Sequence, residues 1–384
     1  MIVWIKWAEM PIWVVPQELR SCPCFDTGAR AFFYTQMLTD LYGGKIMKKI
    51  IKSIACALAA SAMLLSFAAC SSSETTNSGG ASTNMAKVGV IQYATHGSLD
   101  NCYQGFKEGL AEGGYVEGEN LELLFQNANG ETSTSDLIAK NFVSQKVDLI
   151  GAIATPAAMS AYSATQSSGK PPIVFTAISD PVSAGLVQSL ESTGANITGS
   201  CDVLPLEAQV KMIRAFLPDA KKIGVLYTTS EPNSVSHLAK LKEIASSYGF
   251  EVVEQGITNA SEVATGVNTL IAKGVDCINN FTDNNVVNNL TIVLQAAEQA
   301  KIPVFGSEEE QVKNGCLASE GIDYVALGKE TGLMAAKILK GEATADSLPV
   351  VTATESKPFY NKEVMEKLGL TLPEEYANAT NLAE

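Results

Sequence analysis

Side chains able to hydrogen-bond a small polar molecule are unevenly spread along this 384-residue chain, gathering in short stretches that each follow an apolar run. In the first half these are Ala94-Thr95-His96-Gly97-Ser98-Leu99-Asp100, Thr155-Pro156-Ala157-Ala158 and Thr176-Ala177-Ile178-Ser179-Asp180-Pro181. In the second half they are Thr229-Ser230-Glu231-Pro232-Asn233-Ser234, Thr282-Asp283-Asn284-Asn285 and Gly306-Ser307-Glu308, with Glu320-Gly321-Ile322-Asp323-Tyr324 later. Hydroxyls, amides and carboxylates of this kind recognise a polar solute by donating and accepting hydrogen bonds. Several of them also have a purely local use. Ser98, Asn233, Ser234 and Asp283 precede helical patterns and are the residue types that cap helix N-termini. Pro156 and Pro232 suit a first helical turn.

Signatures of catalysis are missing from the same stretches. The run GVIQYATHGS does not match the G-x-G-x-x-G of a dinucleotide site, and no nucleophile elbow or Ser/His/acid set is recognisable. The chain has two histidines, His96 and His237, and neither has a thiolate or acid cluster around it in sequence. His96 is read as a hydrogen-bonding group; no metal, no cofactor and no enzymatic activity are expected.

The elements that must hold these loops occur twice. KVGVIQY at 87–93 matches KIGVLYT at 222–228, CYQGFKEGLAEGGY at 102–115 matches HLAKLKEIASSYGF at 237–250, and LELLFQNA matches EVVEQGI. Then STSDLIAKNFVSQKV pairs with SEVATGVNTLIAKGV, VDLIGAIA with VDCINNF, and PPIVFTA with IPVFGSE, at offsets of about 128 to 135 residues. Alternating strands and helices with short links require parallel sheets with right-handed crossovers. Continuous apolar runs such as DLIGAIA mark strands buried on both faces. The expected fold class is therefore α/β, with two doubly wound parallel-sheet lobes, a hinge and a central cleft. Open parallel sheets bind ligands beyond the carboxyl ends of their strands, where the polar loops fall.

The N-terminal region reads differently. Met47-Lys48-Lys49-Ile50-Ile51-Lys52 is a basic head, 53–69 an apolar body, and Ala68-Ala69-Cys70 ends it: the pattern of a secretory signal peptide, too short and Ala/Ser-rich to span a bilayer. Residues 70–85 form a polar Ser/Thr/Gly tether. Gly43-Gly44 just ahead of Met47 has codons that can spell a ribosome-binding sequence, so residues 1–46, which hold all three tryptophans, are expected to be translated upstream DNA.

Of the chain's 27 Lys/Arg and 41 Asp/Glu, 7 and 4 lie in residues 1–69, leaving the remainder at −17. Such acidity argues against nucleic acid or an anionic membrane surface as partner. Beyond Cys70 the cysteines are Cys102, Cys201, Cys277 and Cys316, too scattered for a zinc motif. They read as small buried hydrophobes, with one disulfide among them as the alternative.

These residues carry a family resemblance. GSLDNCYQGFKEGLAEGGYVEGENLELLFQNANGE, ATPAA, ISDPVSAGLV, NITG, LYTTSEPNS, FTDNNVV and IDYVALGKETGLMAAKILKGE together resemble the extracytoplasmic substrate-binding proteins of ABC transporters, in the group that includes tryptophan-binding members. The small residues before Cys70 resemble a lipobox, with Cys70 as the acylated residue and Phe67 departing from the usual aliphatic residue.

The resemblance implies a type I periplasmic-binding-protein fold. Its expected lobes are 86–200 plus 320–345 and 201–319 plus 346–384, with crossovers near 201–204 and 315–322. It further implies a monomer tethered by lipid outside the cytoplasmic membrane, working with an ABC permease and its ATPase. For an aromatic amino acid (tryptophan, phenylalanine or tyrosine), the carboxylate is expected at Ser98 and the Thr155-Pro156-Ala157 turn. The ammonium is expected at Asp180, Glu231, Asp283 or Asp323. Asn233, Ser234, His96 and Ser307 complete the polar ring, and Tyr93, Leu99 and Phe281 meet the side chain. A nucleoside or other metabolite, or a ligand-sensing receptor built on the same clamp, are the alternatives.

Overall fold

A computed structural model describes residues 85–353 and 355–383. The expected signal peptide, the expected lipidation position Cys70, the expected tether up to residue 84 and the expected upstream segment 1–46 lie outside the described residues. Strands β1 (Ala86–Gln92), β2 (Leu121–Asn127), β3 (Leu149–Ile153), β4 (Ile173–Thr176) and β5 (Ile197–Cys201) form a parallel sheet with a short β11 (Val351–Thr352), in the order β11-β5-β4-β3-β1-β2. A second parallel sheet runs β7 (Glu251–Ile257), β6 (Lys222–Thr228), β8 (Cys277–Asn279), β9 (Val304–Phe305). Position in the sheet follows composition. Central β3 and β4, LIGAI and IVFT, are buried throughout, whereas the edge strands β2 and β7 carry Glu and Gln on half-exposed faces.

Between strands run α1 (Gly97–Glu112), α2 (Thr132–Ser144) and α3 (Thr155–Thr165) in lobe one. Lobe two has α4 (Leu206–Phe216), α5 (Pro232–Ser247), α6 (Val263–Ala272), a short α7 (Asn284–Asn288) and α8 (Leu290–Ala300). The paired helices α1 and α5 begin five residues earlier than the sequence repeat marks them. Past α9 (Glu309–Lys313), β10 (Ala318–Gly321) extends the lobe-two sheet through Leu317 N–H to Val304 O (2.7 Å) and Gly306 N–H to Ala318 O (2.9 Å). β10 also pairs antiparallel with β12 (Lys357–Tyr360), which carries β13 (Thr380–Asn381).

The chain passes between lobes three times: β5 to α4, β10 to α10 (Tyr324–Leu339), and β11 to β12. The third passage corrects the expected boundary at 345/346, since Val351 and Thr352 pair with Ser200 and Cys201 in lobe one. A two-residue edge strand is too short for periodicity to reveal. Cys102, Cys201, Cys277 and Cys316 are buried free thiols. Burial pushes their thiol pKa values up, so they behave as small apolar groups.

Lobe one owes its solidity to the contact between α1 and α10, whose glycines stand four apart on both helices. A Cβ at Gly105 would lie 2.0 Å from Val325 O, at Gly109 2.1 Å from Lys329 O, at Gly328 2.1 Å from Cys102 O and at Gly332 2.3 Å from Phe106 O. The two backbones touch, and no side chain fits between them. Gly328→Ala must push the helices apart and is expected to destabilise the protein by about 3 kcal/mol, the upper part of the usual overpacking range, seen as a lowered urea midpoint at unchanged m.

Candidate functional site

In the β2-β1-β3-β4 order the topology reverses beside β1, and the loops after β1 and β3 flank that switch point. The loops after β6 and β8 do the same in lobe two. The two switch points face each other across a narrow cleft lined by His96, Ser98, Leu99, Ala154, Thr155, Ala177, Ser179 and Asp202 from lobe one, Tyr324 at the start of α10, and Asn233, Thr282 and Asn284 from lobe two. Its free volume is about 10 Å³, room for about one water. A larger molecule therefore enters only when the lobes part.

Two lobe-one helices point their N-termini into the cleft without a side-chain cap. The cap position of α1 is His96 and that of α3 is Ala154, and neither makes a capping hydrogen bond. First-turn N–H groups have no intrahelical partner; at α3 these are Thr155 and Ala157, since Pro156 has none. Ala154 (φ 82°) and Ala177 (φ 55°) hold left-handed backbone at the cleft wall, a conformation that costs a non-glycine residue on the order of 1–3 kcal/mol.

The one acid among the lining side chains is Asp202, which is 2% exposed. Its oxygens accept Ser179 Oγ–H (2.9 Å) and Tyr324 O–H (3.0 Å). Burial nonetheless lifts its pKa to about 6. No Lys or Arg lines the cleft. His96 Nε2 lies 3.4 Å from Asn284 Oδ1 across the cleft, and burial lowers its pKa to about 4, so it is neutral at pH 7. His96 Nδ1, Asn233 Oδ1 and Thr282 Oγ1 are buried without a protein partner.

Of the residues expected from sequence, His96, Ser98, Leu99, Thr155 and Asn233 line this cleft. The others stand elsewhere for identifiable reasons. Asp283 is fully buried, but its carboxylate takes four donors: Thr228 N–H (2.6 Å), Thr228 Oγ–H (2.8 Å), Ser234 Oγ–H (2.7 Å) and Val286 N–H (3.1 Å). It caps α7 and ties α5 to β6, and Ser234 is consumed with it. Glu231 sits behind the wall, accepting Asn284 N–H (3.1 Å) and Nδ2–H (2.7 Å). Burial, with Asp283 nearby, lifts its pKa well above the usual carboxylate range; of the two, we assign the proton to Glu231, whose Oε1 has no donor.

Asp323 is exposed and caps α10 through Ala326 N–H (3.0 Å). Phe281 lies in the lobe-two core against His237, ring centroids 5.4 Å apart. Ser307 donates to Asn280 O (2.7 Å), and Pro156 and Ala157 are buried inside α3 behind Thr155. Tyr93 donates its hydroxyl to Gly130 O (2.7 Å), fastening the next loop. Asp180 leaves the cleft and reaches α5 of the other lobe, accepting Ser236 Oγ–H (2.8 Å) and Lys240 Nζ–H (3.1 Å).

Ala154, Ala177, Ser179, Asp202, Thr282, Asn284 and Tyr324 are cleft residues that the sequence did not single out. Most lie in the polar stretches quoted above, beside the residue chosen. Asp202 is different: it follows β5, ITGSC, a strand that lies outside the matched segments of the repeat.

The chain matches the profile described as ABC transporter substrate binding protein over residues 87–381. It is 40% identical over 289 residues to the tyrosine-binding protein of Clostridioides difficile (strain R20291), covering 75% of this chain and 82% of that one. The ABC domain from Streptococcus pneumoniae in complex with L-Trp superposes with TM-score 0.73 at 36% identity, over 77% of this chain and 98% of that one. The ligand-free, open structure of a substrate-binding protein with adhesive properties from Clostridium difficile gives TM-score 0.60 at 40% identity, over 78% and 99%. At similar identity the fit is better to the complex than to the open form, in keeping with the bonds that cross this cleft. This chain belongs to the ABC transporter substrate-binding protein family.

Proposed function

We propose that this chain is the extracytoplasmic receptor of an ABC importer for a free aromatic amino acid, held by its zwitterionic end. The observation that carries this reading is the charge pattern of the cleft: one buried carboxylate, uncapped helix N-termini (α1 and α3 from lobe one, α5 from lobe two) and no cationic side chain. The ligand carboxylate meets the free N–H groups of α1 and α3 with the Ser98 and Thr155 hydroxyls, where the helix dipoles favour an anion. The ammonium meets Asp202, oriented by Ser179 and Tyr324. Asn233, Thr282 and Asn284 close on it from lobe two, and the unpartnered Asn233 Oδ1 and Thr282 Oγ1 match a ligand with hydrogen-bonding groups on several sides.

The two relatives bearing tyrosine and L-Trp in their descriptions support an aromatic side chain. In this reading the protein works as a monomer, lipidated at Cys70 and handing its solute to a permease driven by an ATPase, and it catalyses no reaction. The signal-like segment supports export, and the absence of a dinucleotide or nucleophile motif supports binding without turnover.

Calorimetric titration against the common amino acids tests the reading. Tyrosine, tryptophan or phenylalanine is expected to bind one-to-one; a folded protein that binds none of them removes the amino acid. Asp202→Asn is expected to weaken binding by about 30-fold or more, as loss of a buried charge partner costs on the order of 2–3 kcal/mol. Asp283→Asn should instead lower the melting temperature, because it removes an acceptor from four buried donors.

Binding should also depend on acid. With its pKa raised to about 6, Asp202 takes up a proton as pH falls through that value, and an ammonium partner requires that proton to leave. Affinity should be flat above about pH 7 and fall towards tenfold per unit below 6, read from titrations at pH 5, 6, 7 and 8. A pH-independent affinity would mean that Asp202 does not pair with the ammonium.

A further inference from the structure

Asp180 lies just outside the cleft but joins the two lobes. Oδ1 accepts Ser183 N–H of its own loop (2.9 Å), which fixes the carboxylate in lobe one, while Oδ2 accepts both Ser236 Oγ–H (2.8 Å) and Lys240 Nζ–H (3.1 Å) of α5 in lobe two. Ser236 and Lys240 are four residues apart and so share one helix face. The loop carrying Asp180 is anchored by Ile178 and Leu186 in the lobe-one core, and its backbone is tied by Leu186 N–H to Pro181 O (2.9 Å). The latch is thus a bond between two rigid bodies.

Both partners in this contact are elements that also touch the cleft. Ala177 and Ser179, one of them the donor to Asp202, stand in the same loop as Asp180. Asn233 lines the cleft from the first turn of α5, and Ser236 and Lys240 follow on that helix. A solute that draws the β4 loop and α5 together within the cleft brings the Asp180 carboxylate to its donors outside it.

We propose that Asp180 is a positioning residue that latches the closed clamp through Ser236 and Lys240, slowing solute release without touching the solute. The proposal rests on the two-lobed clamp and not on which solute it holds. The pair is partly open to water, with the Lys240 side chain 49% and the Asp180 side chain 21% exposed, so the effect is moderate.

The test uses the full chain with Asp180→Ala, Lys240→Ala and the double substitution, and Asp180→Asn as the milder change. Release of L-tryptophan and L-tyrosine, followed by stopped flow, is expected to quicken about three- to tenfold in Asp180→Ala, the usual worth of a charge-assisted hydrogen bond with a half-exposed ion pair. Association should change little. The double substitution should release no faster than Asp180→Ala alone, as one shared interaction requires.

Hydrogen–deuterium exchange without any solute supplies a second readout. Segments 282–285, whose Asn284 meets His96, and 308–310, whose Glu310 accepts Asn101 Nδ2–H (3.3 Å) from lobe one, are expected to exchange faster in Asp180→Ala while strands β1 and β6 keep their protection. Unchanged release and unchanged exchange in these segments would overturn the latch, as would additive effects of the Asp180 and Lys240 substitutions. If neither amino acid binds the wild type, the proposed solute is wrong, and the exchange comparison still decides for or against the latch.

Discussion

A parallel strand that feeds a helix leaves that helix's unpaired N–H groups at the carboxyl edge of the sheet, and the rest of this molecule is arranged around where those groups are satisfied. Backbone donors cannot be left dry. Some helices resolve the problem internally: α7 is capped by Asp283, α10 by Asp323 and α11 (Lys362–Lys367) by Asn361. α1 and α3 carry His96 and Ala154 at the cap position and make no such bond. Alanine is among the poorest cap residues, and here it sits in a strained left-handed conformation as well. Both of these helix ends face the cleft, as do the first turn of α5, likewise without a side-chain cap bond, and the first residues of the capped α7 and α10.

The same distinction sorts the buried acids. Asp283 and Asp202 are both buried aspartates at strand ends, but Asp283 meets two backbone and two hydroxyl donors from other residues whereas Asp202 meets the two hydroxyls of Ser179 and Tyr324. A carboxylate has about four acceptor positions. Asp283 is saturated and stiffens lobe two. Asp202 retains acceptor capacity on the face of the cleft; burial raises its pKa, as it does that of Asp283. Glu231, held next to Asp283, resolves the repulsion by keeping its proton and serves as a prop for Asn284.

The fold was legible because its evidence is repeated: IGVLY, DLIGAIA and PIVF announce buried parallel strands, and the tandem offset announces two lobes. The lobe boundary was less so, as Val351–Thr352 depends on an edge pairing with Ser200–Cys201 that no periodic pattern records. In the cleft, loop location was readable and side-chain direction was not. Ser98, Thr155 and Asn233 line it, while Ser234, one residue past Asn233, turns inward to Asp283. Successive residues of a first helical turn differ by about 100° in direction, and composition carries no sign of which one faces out. Choosing acids by charge favoured Asp283 and Asp323, whose sequence context, one residue before a helix, is that of a cap. Asp202, outside any cap context, is the one whose side chain lines the cleft.

Closure of such a clamp has to be nearly balanced. Lobe one's apolar core is separate from those of lobe two, so little apolar surface changes hands when the lobes meet. The bonds across the gap are polar: His96 to Asn284, Asn101 Nδ2–H to Glu310 Oε1 (3.3 Å), and Asp180 to Ser236 and Lys240. Each exchanges water for protein at a net gain of about 1 kcal/mol. A handful of such contacts biases the equilibrium without locking it, and a solute that contacts both lobes then shifts it in proportion to its preference for the closed form. An apolar interlobe contact of equal area would keep the cleft shut around a space fit for one water. The polar seam instead lets the open form admit the solute and the closed form hold it.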